Sequence, residues 1–184
     1  MNEHLKPVFE QVLPKITSAN IPYWVYGGVG YASMVGHFYR SNPDVDLFVL
    51  DNDFENVENI LGNLCKETSW KICKTFIRSG RPKVELYIKE KERLSLIPVC
   101  KTGNSVEFNF REGSKQYPLE ILTQVERHLG RYRFQTPRDS FLKTLLIGYL
   151  KSKKHYPNPK KRIEDARHVL TEEEFRQFFP TENT

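Results

Sequence analysis

The strongest constraint on the fold of this chain is the stretch at residues 23–50, YWVYGGVGYASMVGHFYRSNPDVDLFVL. A short run of aromatic and β-branched residues is followed at once by Gly-Gly-Val-Gly at 27–30 and then by small residues. A second apolar run begins after a Ser-Asn-Pro turn and carries Asp44 and Asp46. Short runs rich in Val, Tyr and Phe between Gly and Pro are typical of strands. The stretch therefore predicts a strand, a glycine turn, a helix, a loop and a second strand.

Two chemical groups follow from this arrangement. Gly27 and Gly28 leave the backbone open to a ligand, and the helix after them offers unpaired N–H groups and a positive dipole end, which favour phosphate. Asp44 and Asp46 are two residues apart on a strand, so their carboxylates point to the same side. Such a pair suits Mg²⁺ or Mn²⁺ with a bound phosphate. We therefore predict a metal–nucleotide site, although each motif alone is also compatible with an ordinary turn or a solvated strand edge.

The order and separation of these motifs resemble those of the nucleotidyltransferase superfamily, and within it the lincosamide and aminoglycoside nucleotidyltransferases. Their signature is a Gly-Gly turn, a short helix, an arginine and Asp-x-Asp on the next strand, matched here by Gly27, Gly28, Arg40, Asp44 and Asp46. The resemblance implies an α/β (α+β) fold, in which a mixed sheet is flanked by helices. It also implies transfer of a nucleoside monophosphate from a nucleoside triphosphate (NTP), with Mg²⁺ or Mn²⁺ held by the two aspartates.

Further nucleotide contacts are implied by the same resemblance. Arg40 precedes the acidic strand, where its guanidinium is expected to bind phosphate as a fork, and an ordinary surface arginine is the alternative. Lys143 matches a nucleotide-binding lysine on the helix after the sheet, and a lysine that extends past an apolar stripe is the alternative. A charged cluster is implied on the next helix, where Arg162 and Asp165 stand three residues apart and are also able to pair with each other.

The sequence departs from the family at one expected catalytic position. Family members usually carry a third carboxylate on a later strand, three positions before a proline, and Ser95 stands at that position here. Glu85 on the neighbouring predicted strand is the candidate replacement as a catalytic group. Alternation with the core residues around it puts Glu85 on the opposite side of that strand, which is either the active-site cleft or solvent.

The remainder of the chain predicts helices around this sheet. Apolar residues repeat at helical spacing over 5–16, with Pro14 as a kink or stop. Asp51 and Asp53 are candidate N-caps of a following helix. Strands are predicted at 70–78, 83–88, 93–99 and 105–110, with an edge strand at 131–135. Residues 117–129 are compatible with either a loop containing a short helix or a connecting helix.

The C-terminal part is predicted to be helical. A Thr-Pro cap at 136–137 precedes one amphipathic helix, a second helix follows, and Thr171 with Glu174 forms a capping box before a third. We therefore divide the chain into a catalytic domain, residues 1–135, and a small C-terminal helical part, residues 136–184.

Composition narrows the function less than the motifs do. The chain has 184 residues, a net charge of +5 and three cysteines without metal-ligand spacing, which we expect to be reduced and mostly buried. The charge favours an anionic ligand, and with no predicted membrane span we expect a cytoplasmic protein.

Three functional hypotheses follow. The first is a transferase that modifies a hydroxyl of a small molecule. The second is a toxin-type transferase acting on tRNA or protein, which the basic segment 151–161 favours. The third is a degenerate member that binds nucleotide or a partner without turnover, which Ser95 favours.

Overall fold

The computed structural model describes residues 2–76, 80–110, 113–151 and 159–180. Its α-helices are α1 (Leu13–Ser18), α2 (Gly27–Val35), α3 (Asp51–Glu67), α4 (Asp139–Lys151), α5 (Pro159–Val169) and α6 (Glu172–Phe178). Its strands are β1 (Tyr23–Tyr26), β2 (Val45–Leu50), β3 (Lys71–Phe76), β4 (Pro82–Ile88), β5 (Lys91–Thr102), β6 (Ser105–Phe110), β7 (Gly113–Pro118), β8 (Val125–Leu129) and β9 (Tyr132–Thr136).

The main sheet is mixed, as predicted. Its order is β1-β2-β5-β4-β3, in which β2 and β5 are parallel and the other neighbours are antiparallel. The long strand β5 continues beyond this part of the sheet, and its C-terminal end pairs with β6, which pairs with β7. Strands β8 and β9 form a separate two-stranded sheet. The prediction of an α+β fold with antiparallel strands completing a mixed sheet is confirmed.

Alternate residues of β2 point to the two faces of this sheet. Val45, Leu47 and Val49 are fully buried and pack in one core with α1 and α3. Phe48 points to the opposite face and packs in a second core with Phe141 of α4. A third cluster joins α2 to α4, α5 and α6. The C-terminal helices therefore lie over the face of the sheet that carries the alternate residues of β2.

The N-terminal segment differs from the single helix predicted for 5–16. A 3-10 turn (Glu3–Leu5) and a π-helical segment (Val8–Val12) precede α1. Pro14, in the first turn of α1, has no N–H to donate and crowds the carbonyl four residues earlier, so regular α-helical bonding does not run through it. The predicted apolar positions are nevertheless all buried: Leu5, Val8, Phe9, Val12, Leu13 and Ile16.

Two other helices begin differently from the prediction. The glycine motif is not a separate turn, because α2 begins at Gly27 itself. Asp51 and Asp53 are not N-caps, because they lie inside the first turn of α3, whose N-cap is Leu50 with no side-chain hydrogen bond. Both acidic residues instead favour this helix through their charge near the positive end of its dipole.

The ambiguous segment 117–129 contains the end of β7, a 3-10 turn (Leu119–Leu122) and β8. β9 pairs with β8 and is not an edge of the main sheet. The strand predicted at 70–78 is present as β3, and residues 77 and 78 lie outside the described residues. The capping box of α6 is confirmed, since Thr171 and Glu174 form both of its hydrogen bonds.

All three cysteines are free. Cys65 and Cys100 are half-buried and Cys73 is exposed, so the expectation of mostly buried thiols is wrong. Along the described part of the chain, no helix combines the length and apolar character needed to cross a membrane.

Candidate active site

A cavity of about 870 Å³ lies between the sheet and the helices α4 and α5. The sheet side contributes residues of β1, β2, β4 and β5, and the N-terminus of α2 contributes Gly27 and Gly28. The helical side contributes residues of α4 and α5, including Tyr149, Lys161 and Asp165. The glycine motif and the acidic pair, which are separate in sequence, therefore line one cavity.

Asp44 and Asp46 lie on the cavity side of β2. Asp46 is paired with Tyr26 of β1 and with Ser95 of β5. Asp44 stands one residue before β2 begins, and both aspartates line the cavity and are partly exposed. The structure thus brings the two carboxylates to one side of the strand, while Val45 between them is buried.

The surroundings of this pair disfavour two negative charges. Burial raises the pKa of Asp44, and the charges of Lys83 and Lys161 act in the opposite direction. Burial, and then the charge of Asp44, raises the pKa of Asp46 well above its usual range. A cation between two such carboxylates relieves their repulsion, and oxygen ligands are those that Mg²⁺ prefers. The donor set therefore fits a divalent cation, although the described residues contain no cluster of three metal-ligating side chains.

Gly27 allows the first turn of α2 to approach Asp46. Its φ of +63° lies in the left-handed region that favours glycine, and a Cβ at this position would collide with Oδ2 of Asp46. Any other residue would push the carboxylate away from the helix N-terminus or shift the backbone. Gly27 therefore keeps the predicted phosphate-binding N–H groups beside the predicted metal ligands.

Gly28 has a different neighbourhood. A Cβ there would lie 2.5 Å from Nη2 of Arg40 and would also collide with Oδ1 of Asn42. Both of these side chains are held in place, since Nη1 of Arg40 donates to Oδ1 of Asn42 at 2.6 Å. The missing side chain of Gly28 therefore makes room for protein groups, which changes the expected effect of substituting it.

We expect Gly28→Ala to lower the free energy of unfolding by about 1–3 kcal/mol, the usual range for an overpacked site, because the new methyl group displaces Asn42 and Arg40. Urea denaturation measures this difference. Gly148→Ala is the matched control: Gly148 also lines the cavity from a helix, but a Cβ there meets nothing within 4 Å. This control should gain stability, because alanine favours helices over glycine by about 1 kcal/mol. Unchanged stability in Gly28→Ala would contradict the packing described here.

The guanidinium of Arg40 is engaged by the C-terminal helices. Its Nε and Nη2 donate to the two carboxylate oxygens of Asp165 on α5, at 2.6 and 2.8 Å. The hydroxyl of Tyr39 donates to the same carboxylate at 2.7 Å. The predicted fork is therefore present, but its partner is a carboxylate of the protein. Arg40 lines the cavity while it fastens the loop before β2 to α5.

Lys143 is not among the residues that line the cavity. Its Nζ lies 3.1 Å from Oε2 of Glu174, the acidic member of the α6 capping box. This contact fastens α4 to α6, and we do not retain Lys143 as a nucleotide ligand. Of the charged cluster on α5, Asp165 binds Arg40, and the guanidinium of Arg162 lies 4.9 Å from the centre of the Tyr149 ring.

Glu85 faces the cavity, which answers the question that alternation left open. Ser95 is paired with Asp46 on one side and with Glu85 on the other, so the three residues form one row across β2, β5 and β4. Adjacent strands are about 4.8 Å apart, which puts Glu85 two strand spacings from Asp46. Its carboxylate accepts hydrogen bonds from Lys83 at 2.7 Å and Tyr87 at 2.8 Å. Although burial opposes them, these bonds lower the pKa of Glu85.

Several groups that line the cavity were not predicted as site residues from the sequence. Lys83 lies two residues before Glu85 on the same strand, so its alternation was a signal that it faces the same side. Tyr26 and Phe48 stack with ring centres 3.6 Å apart and form an aromatic wall. Lys161 comes from α5, and no local pattern indicated that it would lie near Asp44.

Comparison with known proteins identifies the fold. No protein-family model matches the chain, and neither does any curated protein sequence. Among solved structures, it is similar to the lincosamide antibiotic adenylyltransferase LnuA with lincomycin bound, with a TM-score of 0.63 and 15% identity over 92% of this chain and 96% of that one. It is also similar to ANT(2″)-Ia in complex with adenylyl-2″-tobramycin, with a TM-score of 0.65 and 15% identity over 95% and 94% of the two chains.

A third similar structure is a putative nucleotidyltransferase from Thermotoga maritima, with a TM-score of 0.60 and 10% identity over 84% of this chain and 90% of that one. The fold of this chain is thus the nucleotidyltransferase fold that the sequence motifs implied. The lincosamide and aminoglycoside nucleotidyltransferases, to which the motifs are similar, are among its structural neighbours.

Proposed function

We propose that the protein is a metal-dependent nucleotidyltransferase, which moves a nucleoside monophosphate from an NTP to a hydroxyl group of a small molecule. The observation that carries this proposal is the juxtaposition of Asp44 and Asp46 with Gly27 at the N-terminus of α2, inside one cavity. Carboxylates for a cation and N–H groups for phosphate then lie side by side. This is the arrangement that binding of a metal–NTP complex requires.

The roles of the residues follow from their positions. Asp44 and Asp46 would hold Mg²⁺ or Mn²⁺, which when bound neutralises phosphate charge. The first turn of α2 binds phosphate oxygens through its N–H groups. The acceptor oxygen forms a bond to the α-phosphorus as the bond to the bridging oxygen breaks. Pyrophosphate leaves with the electron pair, and the hydroxyl proton passes to water. The carboxylate of Glu85 is already held by Lys83 and Tyr87. We therefore assign Glu85 the role of a positioning residue, in place of the catalytic role predicted from the sequence.

A small acceptor is favoured by the cavity and by the structural neighbours. A volume of about 870 Å³ is within the range of small-molecule sites. The stacked rings of Tyr26 and Phe48 give one wall an aromatic surface, which suits a nucleobase or an apolar part of an acceptor. Two similar structures carry lincomycin and an adenylylated tobramycin. The tRNA or protein alternative depended on segment 151–161, of which residues 152–158 lie outside the described residues.

Product analysis tests the proposal directly. The protein is incubated with four NTPs, Mg²⁺ and separate pools of hydroxylated antibiotics and of tRNA, and products are identified by mass spectrometry. We expect a small molecule heavier by one nucleoside monophosphate, with pyrophosphate released. The Asp44→Asn, Asp46→Asn double variant is the negative control. A labelled tRNA would support the toxin-type alternative, and bound NTP without any product would support the degenerate one.

Removal of the metal should abolish NTP binding. Without a cation, the two carboxylates repel the phosphates, so calorimetry is expected to detect binding with Mg²⁺ or Mn²⁺ and none in EDTA. For the Asp44→Asn, Asp46→Asn variant, the calorimetric NTP affinity should be the same with metal and in EDTA. Asp51→Asn is the control, since Asp51 is an exposed residue in the first turn of α3 and is not among the cavity residues. Equal affinity with and without metal would contradict the two-carboxylate site.

A further inference from the structure

Ser95 is the uncharged residue in the row that Asp46, Ser95 and Glu85 form across the sheet. Asp46 and Glu85 stand on either side of Ser95, whose side chain is buried and neutral. A third carboxylate at this position would add negative charge directly beside Asp46. The chain has no such charge there, so the electrostatics of the site must differ from those of a three-carboxylate site.

A β-bulge brings another charged group to the cavity face. Leu86 of β4 is paired with Leu94 of β5, and the next residue, Tyr87, is paired with Glu92, so Arg93 is the extra residue of the bulge. A bulge of one residue reverses the alternation beyond it, which turns Glu92 to the face that carries Glu85. Arg93 itself donates to the carbonyl of Pro43 at 2.9 Å and so ties the bulge to the residue before Asp44.

Lys83 is the cation that these carboxylates hold. Its Nζ lies 2.7 Å from Oε1 of Glu85 and 3.3 Å from Oε1 of Glu92. Its side chain lines the cavity, and its charge acts on both Asp44 and Asp46. Two carboxylates from different strands therefore fix one ammonium group on the cavity side of the sheet, on the strand that adjoins Ser95.

We propose that Lys83, held by Glu85 and Glu92, is a further catalytic residue that contacts the phosphates of the bound NTP. It supplies a fixed positive charge on the strand beside Ser95, the position at which the sequence resemblance implies a third carboxylate. This inference rests on the proposed function and deepens it, because it assigns part of the phosphate charge to a protein side chain. Negative charge that develops on the phosphates during transfer is then stabilised by a group that needs no reorganisation.

The charge of Lys83 should also affect metal binding, which can be measured without turnover. Lys83 repels a divalent cation bound by Asp44 and Asp46, so Lys83→Met is expected to tighten Mn²⁺ binding to the protein without nucleotide, by about tenfold. The same variant should lower kcat by roughly 10²–10³, the usual cost of one preorganised electrostatic group. Lys83→Arg keeps the charge and should retain most of the turnover. A lysine whose charge does not reach the metal site would not tighten metal binding when removed.

Lys74→Met provides the matched control. Lys74 is on the neighbouring strand β3 and is also paired with a carboxylate, Glu58, at 2.9 Å, but it does not line the cavity. Its loss should leave both Mn²⁺ affinity and kcat unchanged. Mn²⁺ binding is measured by calorimetry, with thermal melting to verify folding.

The outcomes separate the two proposals. Tighter Mn²⁺ binding together with slower transfer in Lys83→Met supports the assignment. Wild-type protein that binds Mn²⁺, with unchanged or weaker binding in a folded Lys83→Met variant, rejects the role of Lys83 and leaves the proposed function intact. Wild-type protein that binds no Mn²⁺ rejects the metal site, and with it the proposed function.

Discussion

Asp46→Asn is expected to lower nucleotidyl transfer by about 10³-fold, because the charge stabilisation given by a catalytic cation amounts to several kcal/mol. The substitution keeps the shape of the side chain and removes one of the two carboxylates proposed to hold the metal. Single-turnover product formation at saturating NTP and Mg²⁺ measures the effect. Asp51→Asn, the exposed control on α3, should transfer at the wild-type rate. Transfer by Asp46→Asn within about tenfold of wild type would remove Asp46 from the metal site.

The same variant should be more stable than wild type when no metal is present. Because burial and Asp44 raise the pKa of Asp46 in the folded protein, the folded state binds this proton more tightly than the unfolded chain. The associated stability is present below the unfolded pKa of about 3.9 and is lost as pH rises through the raised folded pKa. At pH 7, above the unfolded pKa, the raised pKa of Asp46 therefore makes the folded protein less stable. Thermal melting in EDTA should give a higher Tm for Asp46→Asn, and Mg²⁺ should raise only the wild-type Tm. A lower Tm for the variant would indicate a structural carboxylate.

Breaking the pair between Arg40 and Asp165 should cause the largest loss of stability. The two side chains are only 11% and 5% exposed, so removal of either leaves an uncompensated charge in a largely buried place. Asp165→Ala and Arg40→Ala are each expected to lower the free energy of unfolding by about 3–5 kcal/mol, as measured in urea. The double variant should lose less than the sum of the single losses, because each single variant already breaks the interaction.

An exposed ion pair serves as the control for this prediction. Lys15 and Glu67 are 3.4 Å apart, but their side chains are 48% and 62% exposed. Solvent screens such a pair, so Lys15→Ala should cost no more than about 1 kcal/mol. If Arg40→Ala cost no more than this control, the bidentate contact would not be what fastens the loop before β2 to α5.

Features that depend on local periodicity could be predicted from the amino-acid sequence. Residues two apart on a strand share a face, which is why Asp44 and Asp46 line one cavity while Val45 is buried. The capping box of α6 also needed only its own four residues. The order of glycine motif, arginine and acidic strand was sufficient to indicate the nucleotidyltransferase fold, because these elements are contiguous in the chain.

The partners of the charged side chains could not be predicted, because they depend on how the helices pack against the sheet. Arg40 and Asp165 are 125 positions apart, and the choice between a phosphate and this carboxylate as the partner of Arg40 depends on how α5 packs over the sheet. Lys143 likewise meets Glu174 because α6 packs beside α4. The bulge that turns Glu92 toward Lys83 is invisible to a strict two-residue alternation. Long, flexible charged side chains have several possible partners in the sequence, and packing alone determines which of them lies within reach.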